Sequence, residues 1–272
     1  MASMRDIKRR QASVKSTGQI TKAMKLVSTV KLQKARGRAE NTKPYFDGMY
    51  STVASILARS GNIQHRYLKQ SESEKKAVVV ITSNRGLAGG YNSNIVKLIT
   101  NNPEFTPENT VIYAVGRKGI EGLSRKGYSI VKDYSECMEE PIYSDAMEIS
   151  RDLLDAYADG EIGEIYLAYT FFKNTVSHIP TLKKLLPVSV DEYELSEEEV
   201  LEMIVPKYVS SLIFGGLVEA VASENGARMS AMDSATSNAE EMLSDLSLKY
   251  NRARQSSITQ ELTEIIAGAN AI

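Results

Sequence analysis

The hydrophobic pattern of this chain runs from helical spacing to strand-like blocks and back to helical spacing. From Ser3 to Lys43 there is no proline, only Gly18 and Gly37 interrupt the helical composition, and Ile20, Ala23, Met24, Val27 and Val30 recur at helical intervals. Pro44 marks an expected kink or end, with further helical pattern at Met49, Val53, Ile56 and Leu57. At the other terminus, Ala227 to Ala267 is 41 residues long without a glycine or proline. An unbroken helix over that run would reach roughly 60 Å, about twice the diameter of a small domain. Such a helix leaves its own globule, as a coiled-coil arm, a membrane span or a shaft entering another protein.

Charges at Asp233, Glu240, Glu241, Asp245, Lys249, Arg252 and Arg254 break the apolar run at short intervals, whereas a span needs about 20 mostly apolar residues. The coiled-coil reading fits. Steps of four and three give Val218, Ala222, Asn225, Met229, Met232, Thr236, Ala239, Leu243, Leu246, Tyr250 and Ala253, a narrow seam of large and small side chains. Past Ala253 the register drifts to Ile258, Leu262, Ile265 and Ala269, so a base (Val218 to Ala253) is expected to pack on the N-terminal helix and a tip to meet a different partner. Neither terminal helix has a complete apolar face. An antiparallel pair joining the two termini satisfies both.

Between them the period shortens. Lys75 to Thr82 is a β-branched run that reads as a buried strand, followed by the turn Ser83-Asn84-Arg85-Gly86-Leu87-Ala88-Gly89-Gly90-Tyr91-Asn92 and a helix through Ile95, Val96, Leu98 and Ile99. Further strands are expected at Thr110 to Val115, Tyr128 to Val131 and Glu164 to Phe171, helices at Gly119 to Arg125 and Asp145 to Tyr157, and an extended edge from His178 to Val190. This alternation predicts a small Rossmann-like α/β domain with a mostly parallel sheet, inserted into a long antiparallel coiled coil. The expected boundaries are 1–60 for the N-terminal helix, 75–195 for the inserted domain and 206–272 for the C-terminal helix.

Charge adds a constraint. Residues 1–43 carry twelve Lys or Arg against two acids, while the whole chain has a net charge of −1. Residues 219–272 carry eight acids and four bases, which assists pairing, although exposed ion pairs contribute only about 0–1 kcal/mol each. The surplus positive charge therefore faces solvent or an acidic partner.

Candidate chemistry is sparse. Gly86, Gly89 and Gly90 have the spacing G-x-x-G-G, which matches neither the dinucleotide fingerprint nor the phosphate-binding loop, so a tight structural turn is expected there. His65 and His178 are the only histidines and Cys137 the only cysteine. These exclude an internal disulfide and a nitrogen–sulfur zinc site, and neither histidine lies in a nucleophile motif. No catalytic residue, cofactor site or metal site is expected. No apolar signal segment precedes the first helix, which argues for a cytoplasmic protein. Two other classes remain in view on composition: a basic coiled coil that binds nucleic acid, and a small dinucleotide-dependent enzyme using the glycine turn.

The last residues carry a resemblance. Ile258-Thr259-Gln260-Glu261-Leu262-Thr263-Glu264-Ile265-Ile266-Ala267-Gly268-Ala269 resembles the C-terminal signature of the gamma subunit of bacterial F-type ATP synthase. The likeness extends through Arg228-Met229-Ser230-Ala231-Met232, Ala235-Thr236-Ser237-Asn238-Ala239 and Tyr250-Asn251-Arg252-Ala253-Arg254-Gln255. It reappears in Arg5-Asp6-Ile7-Lys8, in Gln19-Ile20-Thr21-Lys22-Ala23-Met24 and in the glycine turn, so it covers essentially the full length. The resemblance implies a non-catalytic rotor shaft coupling transmembrane proton flow to ATP synthesis or hydrolysis. It implies as partners a ring of three alpha and three beta subunits, an epsilon subunit and a ring of c subunits, with no cofactor, no nucleic acid and membrane attachment only through partners, at the cytoplasmic face of a bacterial plasma membrane. It further implies that Arg254, Gln255, Thr259 and Glu261 meet the sleeve of the ring. Lys8, Arg9, Arg10, Met24, Lys25 and Arg228 would make coupling contacts with acidic loops of the beta subunits. Relatives often have cysteine where this chain has Ala88, and Cys137 does not belong to the paired-cysteine insert of the chloroplast form.

Overall fold

The computed structural model describes residues 4–58, 73–174, 177–187 and 198–269. His65 and the expected edge residues 188–190 lie outside them. The chain divides into two compact units, one made of Met1–Val27 with Met229–Ile272 and the other of Ser28–Arg228. Ten α-helices and β-strands are described: α1 (Met4–Ala58), β1 (Lys76–Ile81), α2 (Tyr91–Thr100), β2 (Thr110–Val115), α3 (Arg117–Ser124), β3 (Ser129–Asp133), α4 (Tyr143–Ala158), β4 (Glu164–Phe172), β5 (His178–Leu186) and α5 (Glu198–Ala269), with a short 3-10 turn at Ser135–Met138.

In the Ser28–Arg228 unit the strands form one sheet in the order β3-β2-β1-β4-β5. β1 is central and pairs in parallel with β2 and β4. β2 pairs in parallel with β3. β5 returns antiparallel to β4 as the edge. The parallel pairs need crossovers, which α2, α3 and α4 supply. Because helices cover both faces of β1, its residues Ala77 to Ile81 are all buried, which is why it reads as an unbroken apolar run instead of an alternation. Ala77, Val79 and Ile81 share a core with Ile149 and Leu153 of α4 and with Val209, Ile213 and Leu217 of α5. Val78 and Val80 share the opposite core with Ile95 and Ile99 of α2 and Leu123 of α3. Burying each such side chain stabilises the fold by about 1.5–3 kcal/mol. α4 opens with Asp145 accepting a 2.9 Å hydrogen bond from the Ile142 N–H, which satisfies a donor at the helix start.

Two helix expectations are corrected. α1 continues through Pro44 to Ala58, since one proline removes a single backbone bond of a long helix. α5 begins at Glu198, ahead of the expected start at 206, and contains Pro206, Gly216 and Gly226. These glycines permit close packing: a Cβ on Gly216 would stand 3.0 Å from Leu167 Cδ2, and one on Gly226 would stand 2.5 Å from His178 Nε2. The stretch Ile204–Ala267 contains an 18-residue window of mean hydropathy 1.4, long and apolar enough to cross a membrane by composition, and 61% of that window is buried inside the protein. Val218, expected to pack on the N-terminal helix, joins the core under the sheet, against which Ala39 of α1 also packs.

Candidate partner interface

Residues 4–27 and 229–269 form an antiparallel helix pair. Gln11 Nε2 donates to Ser247 Oγ at 3.1 Å, the Thr21 and Thr236 hydroxyls lie 2.8 Å apart, and Lys25 Nζ lies 2.6 Å from Asp233 Oδ1. A Cβ on Gly18 would touch Ala239 Cβ at 3.3 Å. The residue numbers of every pair total 257 or 258, which is the signature of opposed directions in constant register. On α5 the seam contains Met229, Met232, Thr236, Ala239, Leu243, Leu246, Tyr250 and Ala253, all buried or half-buried, as the steps of four and three predict.

On α1 the expected stripe is wrong. Ile20, Val27 and Val30 are exposed by 57%, 58% and 65%. The buried and half-buried positions are instead Ile7, Gln11, Val14, Gly18, Thr21, Lys25 and Ser28, which also step by four and three. The physical reason is separation: small and polar residues let the backbones approach, and Gln11 and Thr21 find hydrogen-bond partners across the seam at about 0.5–1.5 kcal/mol net each. The 4-3 spacing starting at Ile7 was the available signal, hidden because most of its residues are not apolar.

The same register places Met4 level with Ala253 or Arg254, so among the described residues α5 continues beyond it without a paired helix. Arg254, Gln255, Thr259 and Glu261 are exposed on this tip, Thr259 Oγ1 donating back to the Gln255 carbonyl at 2.9 Å. Ile258, Leu262, Ile265 and Ile266 are also exposed, Ile265 by 67%. Lys8, Arg9 and Arg10 lie exposed near the start of α1, Arg9 within 3.3 Å of Asp6. Met24 is half-buried beside the seam, and Lys25 is tied to Asp233. Apolar side chains in water on two helix faces, beside a dense basic cluster, make a surface suited to a partner that is apolar in part and acidic in part.

Arg228 is differently placed. In the sheet unit it pairs with Glu224 at 2.6 Å, both side chains nearly buried, and approaches the Gly86 carbonyl at 3.5 Å. Burial pushes the Glu224 carboxyl above its ordinary range, and Arg228 opposes that rise. Arg228 is therefore a brace on the glycine turn, not a free cation, and Glu224 is a residue that the sequence reading missed. The turn is bonded within the protein: Asn92 Oδ1 accepts from the Ser83 N–H at 2.9 Å, Asn84 Nδ2 donates to the Ser135 carbonyl at 2.8 Å, and Tyr91 Oη donates to the Ala220 carbonyl at 3.2 Å. Ala88 is buried beneath it. Cys137 is half-buried, and burial first, then nearby acids, push its thiol up to about 12, which suppresses thiolate reactivity.

Comparison with known proteins agrees with this geometry. The family model described as ATP synthase matches residues 3–272. The ATP synthase gamma chain of Lachnoclostridium phytofermentans is 66% identical with full coverage of both chains. That of Alkaliphilus metalliredigens is 43% identical over 99% of this chain and 98% of the relative. The sodium-ion-specific gamma chain of Acetobacterium woodii is 39% identical over the same shares. Among solved structures, a chain of the Tetrahymena thermophila mitochondrial ATP synthase central stalk and c-ring matches with TM-score 0.59 and 27% identity, covering 79% of this chain and 99% of that one. A chain of the Euglena gracilis mitochondrial enzyme shares the fold at TM-score 0.73 and 19% identity, over 98% and 94%. Neither the nucleic-acid-binding coiled coil nor the dinucleotide-dependent enzyme finds support among them. Motifs, antiparallel shaft and full-length relatives converge: this chain belongs to the ATP synthase gamma-chain family.

Proposed function

We propose that this chain is the central rotor shaft of a bacterial F-type ATP synthase. It couples transmembrane ion flow to ATP synthesis or hydrolysis at catalytic sites carried by an alpha3-beta3 ring. The observation that supports this reading best is the lone C-terminal helix beyond Ala253, with Ile258, Leu262, Ile265 and Ile266 in water. A sleeve that buries such a tip recovers apolar burial that the chain forgoes on its own. The chain contributes torque and contact geometry but no catalytic group; each partner site changes affinity only through contacts that differ between its states.

On this reading Arg254, Gln255, Thr259 and Glu261 line the tip inside the sleeve. Lys8, Arg9, Arg10, Met24 and Lys25 meet acidic loops of the beta subunits. Arg228 acts through its grip on Glu224 and Gly86. The three segments 1–60, 75–195 and 206–272 then serve as N-terminal shaft helix, foot and C-terminal shaft helix, with the foot engaging the epsilon subunit and the c-ring. The chain would be peripheral, held at the cytoplasmic face of the plasma membrane through these partners, with protons as the coupling ion. The test is reconstitution. The purified chain alone hydrolyses no ATP, and mixed with alpha and beta subunits it assembles and restores coupled hydrolysis. Failure to assemble overturns the reading.

A further inference from the structure

α5 is seated on the sheet by the large side chains Val209, Ile213 and Leu217 and, from Gly216 onward, by a stripe of small residues. Gly216 lies against Leu167 and Tyr169 of β4. The Ala220 carbonyl accepts from Tyr91 Oη, and Ser223 Oγ donates to the Thr170 carbonyl at 3.0 Å. Beyond Val218 this stripe brings helix and sheet close but presents little relief, so that part of the contact resists rotation about the helix axis weakly. Gly226 breaks the smoothness. Its missing side chain leaves a notch, and His178 of β5 fills it: a Cβ there would stand 2.5 Å from Nε2, 3.4 Å from Cε1 and 3.6 Å from Cδ2. The ring is backed by Phe172, with centroids 6.0 Å apart.

The contact is built at a cost. Glycine is a poor residue inside a helix, and among the described residues His178 Nε2 is buried without a hydrogen-bond partner, an arrangement that native proteins seldom keep without a reason. Burial also pushes the imidazole below its ordinary range, which favours the neutral ring that an apolar notch accepts. A cavity of about 230 Å³, lined by Gly90, Tyr91, Asn94, Thr170, Pro180 and Ala227 as well as His178 itself, lies beside the ring. Were the notch filled, this cavity is the space into which the imidazole would swing.

We propose that the His178–Gly226 knob and hole is a torsional lock, a positioning pair that keeps α5 from turning against the sheet so that rotation imposed on the sheet is passed along the helix. The proposal rests on the rotor reading. Knob-into-hole insertion off the helix axis resists twisting where a small-residue stripe alone does not.

The experiment uses the assembled ATP synthase complex in sealed vesicles, with ATP-driven ion pumping and ATP hydrolysis measured side by side. His178→Ala and Gly226→Ala each lower the ratio of pumping to hydrolysis at least roughly twofold, the scale of coupling changes from single residues in a mechanical path. Hydrolysis and subunit composition stay unchanged. His178→Gln, which keeps a side chain of similar reach, retains the ratio, and the double variant recovers part of the loss because a methyl group then occupies each side of the contact. If His178→Ala and Gly226→Ala leave the ratio unchanged, whatever they do to melting temperature, the lock is refuted. Should Gly226→Ala fail to assemble, His178→Ala against His178→Gln decides alone. A wild-type chain that does not assemble refutes the rotor reading instead.

Discussion

The sheet unit and the helix-pair unit bury their apolar residues in opposite ways. In the sheet unit Val78, Val79, Val80, Ile112, Ile149, Ile165 and Leu186 are wholly buried in two cores. In the helix pair, Gly18, Thr21, Gln11 and Lys25 occupy the α1 seam, while Ile20, Leu26 and Val27 on α1 and Leu248, Ile258 and Leu262 on α5 stand in water. The sheet unit is folded by its own apolar surface. The helix pair holds itself together through a narrow seam and leaves many of its larger apolar residues outside it. That difference separates residues buried to hold the fold from apolar residues left on the surface, which the rotor reading assigns to partners.

The sharpest way to break the comparison is to remove one member of the buried pair in the sheet unit. Arg228→Ala leaves the Glu224 carboxylate buried without its cation, and an uncompensated buried charge costs about 3–5 kcal/mol. Urea unfolding of the full chain should report a loss of that size, and a loss below about 1 kcal/mol would mean the pair is effectively solvated. Next comes Gly18→Leu, which forces a large side chain against Ala239. Overpacking a close contact costs about 1–3 kcal/mol, and cysteine cross-linking between the helices at Gln11 and Ser247 should become slower. Unchanged cross-linking would show that the seam tolerates wider spacing.

A pH series sharpens the picture within the sheet unit. Burial would raise the Asp152 carboxyl, but its 2.5 Å contact with Lys132 and the hydrogen bond it accepts from Tyr134 hold it below the ordinary range. A depressed carboxyl contributes stability that is present above its unfolded value, about 3.9, and is lost as pH falls through the folded value. The melting temperature should therefore drop below about pH 4, and Asp152→Asn should flatten that drop. Glu224 has the opposite sign: its raised carboxyl contributes most below its unfolded value, and that contribution is lost as pH rises through the folded one. The smallest effect on folding belongs to the tip. Leu262→Ser should change the stability of the isolated chain by no more than about 0.5 kcal/mol, as for other surface substitutions, yet weaken assembly with alpha and beta subunits in a copurification assay. A large loss of stability in the isolated chain would mean that the tip packs on its own protein.

Legibility in the sequence followed the strength of the local signal. β1, β2 and β4 stand within a residue or two of expectation because β-branched runs bounded by polar turns have little else to become. The α5 seam was equally readable, as its 4-3 positions are mostly apolar. The α1 seam was not, because Gly18, Thr21 and Ser28 look like surface residues until a second helix lies against them. Arg228 looked like one more basic residue on a coupling face, since nothing in the order of residues tells that Glu224, one helical turn away, is buried with it.

What the sequence by itself determined are the periods: helical at both ends, strand-like in the middle, with a C-terminal run too long for any single globule. These follow from local sterics and from the 3.6- and 2-residue repeats. What only the tertiary structure decided is which side of each element meets protein and which meets water. Glycine can break a helix or let one come close, and a valine can be core or contact surface. The choice depends on what stands opposite, a relation between residues hundreds of positions apart that no local pattern encodes.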